Sequence, residues 1–125
     1  MDKILKTQRI HEMEMALHEA LAQVQPDAHL EWKSMFGGAG FFVYGKIFAA
    51  WFGKGLTLKM SPEAAQELLK VAGTRRAGDA QEVVNVHYIE VPQAFLDHPE
   101  RMAQWVNKSV TYVKSLPEKK RKKTS

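Results

Sequence analysis

The spacing of the apolar residues predicts three helices in this chain. Between Gln8 and Val24 apolar residues recur every three or four positions, which is the pattern of one buried helical face. Residues 61–73 and 97–116 repeat this spacing. We therefore expect three amphipathic helices, one near each end of the chain and one in its middle.

Two of these helices carry recognisable signals at their first residues. Ser61 and Pro62 place a hydroxyl cap directly before a proline, whose missing N–H costs nothing at the first helical position. Asp97 and Glu100 have the spacing of a capping box. The second helix is thus expected to begin at Pro62, and the third to begin after Asp97.

The segment between the first two helices follows a different pattern, in which short aromatic and β-branched runs alternate with glycines. Phe41–Tyr44, Ile47–Phe52 and Leu56–Met60 are typical of strands, and the glycine-containing segments 45–46 and 53–55 are typical of tight turns. This segment therefore predicts an antiparallel meander of three strands.

Three glycines, Gly37, Gly38 and Gly45, are predicted to shape turns, because glycine adopts backbone conformations that other residues avoid. A short extended segment, His29–Lys33, leads towards the first two. Ile47–Phe52 is apolar on both faces, which indicates either the most central strand of the sheet or a strand whose second face meets a partner.

After the second helix, Thr74–Asp79 is predicted to be a polar loop and Glu82–Val91 a strand. The predicted order is helix, three strands, helix, one or two strands, helix. Strands joined by short turns pair antiparallel, and three helices are enough to cover one face of such a sheet. The predicted fold class is α+β, with the layers of a two-layer α/β sandwich.

Length and composition restrict the kind of protein. A chain of 125 residues, 45% of them apolar, fits one domain with one core, here residues 1–116. The absence of cysteine excludes disulfides and thiolate metal sites and suits a reducing compartment. The sequence has neither an apolar run of membrane-spanning length nor a secretion signal, so a cytoplasmic location is expected.

The net charge of +4 belongs to residues 117–125 and not to the body of the chain. Removing the five adjacent cations and Glu118 from the totals of 18 basic and 14 acidic residues leaves 13 of each. Because like charges repel, a disordered basic tail is expected, and such a tail binds phosphates weakly and without regard to sequence. The candidate nucleic-acid contacts are Arg75, Arg76, Lys119, Lys120, Arg121, Lys122 and Lys123.

Signatures of catalysis or ligand binding are incomplete. Residues 40–46 match GxxxxGK, but Ile47 replaces the magnesium-binding hydroxyl and the intervening residues favour a strand. His87 beside Tyr88 could act as a base, yet no orienting carboxylate can be named. Three further polar residues share one side of the first helix without HExxH spacing: His11, Glu14 and His18. No catalytic, metal or cofactor-binding residue is therefore predicted.

Several segments resemble the N-terminal domain of the TfoX/Sxy family of bacterial proteins. They lie within residues 8–115 and are Met35-Phe36-Gly37-Gly38, Gly45-Lys46 with Phe48-Ala49, Leu58-Lys59, Tyr88-Ile89-Glu90-Val91-Pro92, and Trp105. The resemblance implies a two-layer α/β sandwich similar to that of secretion chaperones, which are commonly homodimers. It also implies a regulatory role, because members of the family are positive regulators of DNA-uptake competence that act with the cyclic-AMP receptor protein. Longer members continue with a helical domain where this chain has its basic tail, so a stand-alone N-terminal domain is expected.

The leading hypothesis is a non-catalytic regulatory protein that binds a second copy of itself or another protein. Trp51, Phe52 and Trp105 are predicted to contribute to packing or to the interface. The aromatic strands carry no interleaved cations, which favours core packing or a dimer face over base stacking. The alternative is a nucleic-acid-associated regulator that uses the tail with Arg75 and Arg76. A small enzyme would require a concave pocket lined by His87 and a carboxylate.

Overall fold

The computed structural model describes residues 3–35, 37–77 and 85–117 of the chain. The described elements are, in order, α1 Lys3–Val24, β1 Glu31–Met35, β2 Gly38–Val43, β3 Lys46–Trp51, β4 Leu56–Lys59, α2 Pro62–Leu68, β5 Arg75–Ala77, β6 Asn85–Glu90, α3 Gln93–Asp97 and α4 Pro99–Ser115. The predicted α+β fold class is confirmed. The domain boundary and the basic tail, placed by the sequence at residues 117–125, lie almost wholly outside the described residues.

The six strands form one antiparallel sheet in the order β1-β2-β3-β4-β6-β5. Register places Phe41, Ala49, Leu58 and Ile89 directly opposite one another on successive strands, so their side chains share one face. All four are buried. We call this the inner face, and its opposite the outer face.

The hydrophobic core lies between the inner face and the helices. Its cluster of buried residues draws on all four helices and on the inner face of the sheet. Trp51 and Trp105 belong to this cluster, and the Trp51 indole N–H donates a hydrogen bond to the carbonyl of Lys54 at 3.0 Å. Each large side chain buried in this way contributes roughly 1.5–3 kcal/mol to folding. The architecture is therefore a two-layer sandwich of one sheet and one layer of helices.

The first and last long helices are neighbours in this layer. α1 packs along α4, and α4 also contacts β3 and β4. A side-chain hydrogen bond from Gln25 Nε2 to Asn107 Oδ1, 2.8 Å long, joins the end of α1 to the middle of α4. Elements far apart in the sequence thus close the core.

A two-residue turn joins β2 to β3. Tyr44 and Gly45 both have positive φ, 53° and 75°, which is the conformation of a type I′ hairpin turn. The sequence placed this turn at Gly45–Lys46, one residue later, because tyrosine rarely adopts a left-handed backbone. Lys46 is instead the first residue of β3, and its ammonium donates to the carbonyl of Leu116 at 2.6 Å.

Beyond the turn, β3 contains a bulge. The register shifts between Phe41 and Phe42, so that Phe48 is skipped in the pairing, and its side chain is buried in the core. The hydroxyl of Ser109 in α4 donates a hydrogen bond of 2.8 Å to the Phe48 carbonyl. The bulge and this bond explain why β3 shows apolar residues without clean alternation.

The helix signals gave one correct and one wrong prediction. Ser61 caps α2, with its hydroxyl accepting from the Ala64 N–H at 3.2 Å, although α2 ends at Leu68, earlier than expected. The capping box at Asp97 is wrong, because Asp97 ends the short helix α3 and accepts a hydrogen bond from Gln93. His98 stands at the N-cap of α4 and makes no side-chain cap bond.

The two adjacent glycines Gly37 and Gly38 are required for different reasons, and only Gly37 lies in the turn, because Gly38 is the first residue of β2. Gly37 has a φ of +73°, a left-handed conformation that favours glycine. Gly38 has no such φ, but a Cβ atom added there would collide with the backbone carbonyl of Trp51 on the neighbouring strand. One glycine therefore permits a turn, and the other permits two strands to approach closely.

Candidate interaction surfaces

The outer face of the sheet carries side chains from every strand. Register places one row of residues across all six strands in the order Lys33, Gly40, Ala50, Thr57, Glu90 and Arg75. The flanking positions of the same face are Glu31, Met35, Phe42, Ile47, Phe52, Lys59 and Tyr88. None of these residues belongs to the hydrophobic core cluster.

Aromatic rings cover much of the outer face. Phe52, 41% exposed, meets Tyr88 edge-to-face with ring centroids 5.6 Å apart, although β4 lies between their strands. Beneath them Thr57 is buried, and its hydroxyl donates to the Ala50 carbonyl at 2.7 Å. A Cβ atom at Gly40 would touch the ends of Met35, Ile47 and Phe42. Small residues on the central strands therefore form a floor on which the larger side chains rest.

Cations stand beside these rings. The Lys33 ammonium lies 5.2 Å from the centroid of the Phe42 ring, a cation–π distance. Lys59 lies directly opposite Tyr88 in the antiparallel pair. Burial raises the pKa of the Tyr88 phenol above its ordinary value.

At the far end of the central row, Arg75 and Glu90 form an ion pair of 3.3 Å. Both side chains are partly exposed, so the pair contributes at most about 1 kcal/mol. Arg76, the next residue, lies opposite Ile89 of the inner face. The two arginines that the sequence treats as one candidate site therefore point to opposite sides of the sheet. The polar loop predicted at 74–79 is wrong in part, because Arg75–Ala77 is a strand; residues 78–79 are outside the described residues.

Strand β1 forms one edge of the sheet. It pairs with β2 only, and residues 31–34 are exposed. Trp32 is 39% exposed and lies on the inner-face side of this edge. Its neighbours in the sequence, Glu31 and Lys33, lie on the outer-face side. An edge strand presents unpaired backbone N–H and C=O groups to which a further strand can pair.

Cavities lie at several places around the described part of the sheet. One of about 380 Å³ forms where the end of α4 meets the β2–β3 hairpin, and Phe42, Ile47, Lys59 and Pro117 are among its lining residues. Two others, of about 220 and 270 Å³, share Arg9 of α1. His87 lines none of these three; its ring stacks on Tyr112, with centroids 6.1 Å apart.

The residues singled out in the sequence are thus distributed over several environments. Trp51 and Trp105 lie in the core and Phe52 on the outer face. Gly37, Gly38 and Gly45 shape backbone, as described above. Lys119, Lys120, Arg121, Lys122 and Lys123 are outside the described residues. Sequence reasoning missed Trp32, for which the alternation of polar and apolar residues along β1 is the only signal. It weighed Phe42 for base stacking and Tyr88 beside His87, but it could not place the two rings on one face.

These features define a class of protein. The molecule is an α+β domain with helices on one face of an antiparallel sheet, and its opposite face and one edge strand carry exposed side chains. Across residues 3–35, 37–77 and 85–117 no group of three or more histidine or acidic side chains could hold a metal ion. Within the same ranges no helix combines the length and apolar character needed to cross a membrane.

The chain belongs to the TfoX N-terminal domain family, whose model matches residues 19–112. This family consists of regulatory domains and is not a known enzyme family. No curated protein and no solved structure matches the chain significantly.

Proposed function

We propose that the protein is a non-catalytic regulatory domain that acts as a homodimer through its β1 edge. The observation that carries this proposal is the exposed strand Glu31–Met35 at the end of the sheet. More specifically, we propose that the protein acts in the cytoplasm of a bacterium and has a regulatory role like that of the competence regulators of the family. The sequence linked the dimer to the apolar strand β3, which lies between β2 and β4 and so offers a partner its face and not an edge; the free edge of β1 favours the contact proposed here.

The side chains of β1 are self-complementary. Two copies of β1 paired antiparallel about a two-fold axis at Trp32 place Glu31 directly opposite the second copy's Lys33, and the reverse. Directly opposed charges of unlike sign contribute roughly 0.2–1 kcal/mol each. The two Trp32 rings meet on the inner-face side of the same axis, where their exposed surface is removed from water. The Glu31–Lys33 contact thus occurs twice and the contact between the Trp32 rings lies on the axis, as two-fold symmetry requires.

Charge reversal on β1 tests this dimer. Lys33→Glu places four carboxylates at the axis, so we expect the dissociation constant, measured by sedimentation equilibrium at tens of micromolar protein, to rise at least about tenfold. The double variant Glu31→Lys with Lys33→Glu exchanges the two charges and should restore the dimer. Lys70→Glu, an exposed reversal in the segment after α2, is the matched control and should leave the mass unchanged.

Two results would contradict the proposal. One is a monomeric native chain at these concentrations. The other is a dimer whose dissociation constant is the same in Lys33→Glu, Lys70→Glu and the native protein, because the contact would then lie away from β1. Far-ultraviolet circular dichroism of each variant confirms that the sheet is formed.

A further inference from the structure

We infer that the outer face of the sheet binds single-stranded nucleic acid, with Phe42, Phe52 and Tyr88 as stacking surfaces for the bases. This assignment goes beyond the proposed dimer, since it gives a ligand to a different surface. Proteins that bind single strands without regard to sequence combine aromatic rings, on which bases stack, with cations that follow the phosphate backbone. The outer face holds both components.

The sequence argued against base stacking because it shows no cations between the aromatic residues, whereas the folded sheet does place cations beside the rings. The strands that carry the rings lack interleaved cations, but neighbouring strands supply them once the sheet has formed. Lys33 of β1 stands 5.2 Å from the Phe42 ring, and Lys59 of β4 is registered opposite Tyr88. Each of these rings therefore has a cation within reach of a phosphate attached to a stacked base.

The shape of the face favours unpaired bases. Its central row includes Gly40, Ala50 and Thr57, which are small and buried, so the larger side chains lie over them and the rings form part of the outer surface. Lys33 and Arg75 end this row five strand spacings apart, about 24 Å, which is room for several nucleotides. A duplex hides the faces of its bases and could not stack on the rings, so the surface distinguishes single strands from double strands.

The charges agree with a polyanionic ligand. Lys33, Lys59 and Arg75 lie on the outer face with Glu31 and Glu90, a net charge of +1. Arg75 and Glu90 pair with each other, so Lys33 and Lys59 are the cations that carry the attraction for phosphate. Pro117, the last described residue, lines the cavity that Phe42 and Lys59 also line, so the chain leaves the domain beside this face. The eight residues that follow include five adjacent cations, which add to the positive charge of the full chain.

A second copy of the protein fits this face less well. A two-fold contact between outer faces would bring the cations of both copies together at their rims, and like charges in that position oppose association. A polyanion neutralises the same cations. The edge-strand dimer proposed above leaves both outer faces open, with the Lys33 side chains of the two copies near one axis.

Fluorescence anisotropy with the full chain tests the inference. The probes are a fluorescein-labelled, mixed-sequence, 12-nucleotide DNA strand and the corresponding duplex, in about 50 mM salt. Phe52→Ala should weaken binding of the single strand at least about fivefold and leave duplex binding unchanged. Met15→Ala, which removes an exposed apolar side chain from α1, is the matched control and should change neither.

Two further variants separate stacking from charge. Lys59→Gln should lower the slope of log affinity against log salt for the single strand by about 0.7, and Lys108→Gln on the exposed side of α4 should not. Replacing the five tail cations with glutamine in the full chain should weaken single-strand and duplex binding by similar factors.

Several outcomes would overturn the inference. One such outcome is equal affinity for single strand and duplex, with Phe52→Ala and Lys59→Gln behaving like the native chain. Binding would then come only from the charges of the tail. Absence of single-strand binding at 100 micromolar protein would exclude the site. A change in molecular mass caused by Phe52→Ala would identify the outer face as a protein interface instead.

Discussion

At the scale of single residues, Gly38 shows that the absence of a Cβ atom can determine how closely two strands approach. Its backbone is not left-handed, so its φ alone would tolerate a side chain. The carbonyl of Trp51 occupies the space that a Cβ atom would need. Since this obstacle is backbone in the middle of a sheet, it can move only if the strands separate.

Gly38→Ala is therefore expected to destabilise the protein by about 3 kcal/mol, the upper end of the usual cost of overpacking. For a domain of this size that lowers the thermal midpoint by roughly 10 °C. Gly37→Ala is the matched comparison, because nothing lies within 4 Å of an added Cβ atom and only the left-handed φ is strained. It should cost about 1 kcal/mol. Equal midpoints for the two variants in differential scanning calorimetry would refute the steric argument.

The phenol of Tyr88 supplies a second prediction at this scale. Because burial raises the pKa of Tyr88 in the folded protein, the unfolded chain loses this proton at lower pH than the native one. The contribution of the protonated Tyr88 to the free energy of unfolding is complete below the ordinary tyrosine pKa near 10. This contribution is lost as the pH rises through the raised pKa of the folded state. Tyr88→Phe should consequently flatten the alkaline decline of the free energy of unfolding.

Urea denaturation between pH 8 and 11.5 measures this decline. Tyr44→Phe, which removes an exposed hydroxyl, should retain the slope of the native chain. An unchanged slope in Tyr88→Phe would show that other groups cause the alkaline loss of stability.

At the scale of elements, one hydrogen bond joins α4 to the bulge in β3. The hydroxyl of Ser109 is fully buried and donates to the Phe48 carbonyl, which is skipped in the pairing of β2 with β3. A buried carbonyl without a partner costs roughly 1–3 kcal/mol. Ser109→Ala should lower the free energy of unfolding by about that amount, as measured by denaturant titration with an unchanged m-value.

Ser115→Ala provides the control for the same helix. Its hydroxyl also donates to a backbone carbonyl, that of Tyr112, but the residue is exposed. Water replaces the lost bond there, so a change of less than about 0.5 kcal/mol is expected. Similar losses in both variants would mean that helix propensity, and not the link to the bulge, sets the effect.

The elements that the sequence predicted are those whose signals are local. Glycine turns and apolar runs were enough for β2, β3 and β4, and the Ser61 cap was enough for the start of α2. Strand β5 has the composition of a loop, Arg-Arg-Ala, and becomes a strand because β6 pairs with it. Its identity depends on a partner about ten residues away, which no local pattern contains.

The surfaces were harder to predict than the strands for the same reason. Phe42, Phe52 and Tyr88 share a face only through the register of four strands and one bulge. A shift of one residue would send each ring to the opposite face. Lys33 and Lys59 likewise become neighbours of the rings by pairing, so the cations that the sequence found missing from the aromatic strands come from adjacent ones.

At the scale of the whole molecule, the two proposed contacts use an edge and a face of one sheet, and they share Lys33. The edge of β1 would extend the sheet into a second copy, and the outer face would remain accessible on both. A dimer of this kind carries two nucleic-acid tracks side by side, so a strand long enough to cross the axis would bind both with higher avidity than a short one. Control of dimer formation would then change the affinity for long strands while the outer face of each copy stays the same.

The neighbouring positions of α1 and α4 have a consequence for how the protein is made. The inner faces of β3 and β4 are covered partly by α4, whose residues are almost the last of the described chain to leave the ribosome. Until residues 99–115 emerge, α1 has no α4 to pack on and buried strands such as β3 present apolar surface to solvent. The core can therefore close only after α4 has been synthesised, and the nascent chain is exposed to aggregation until then.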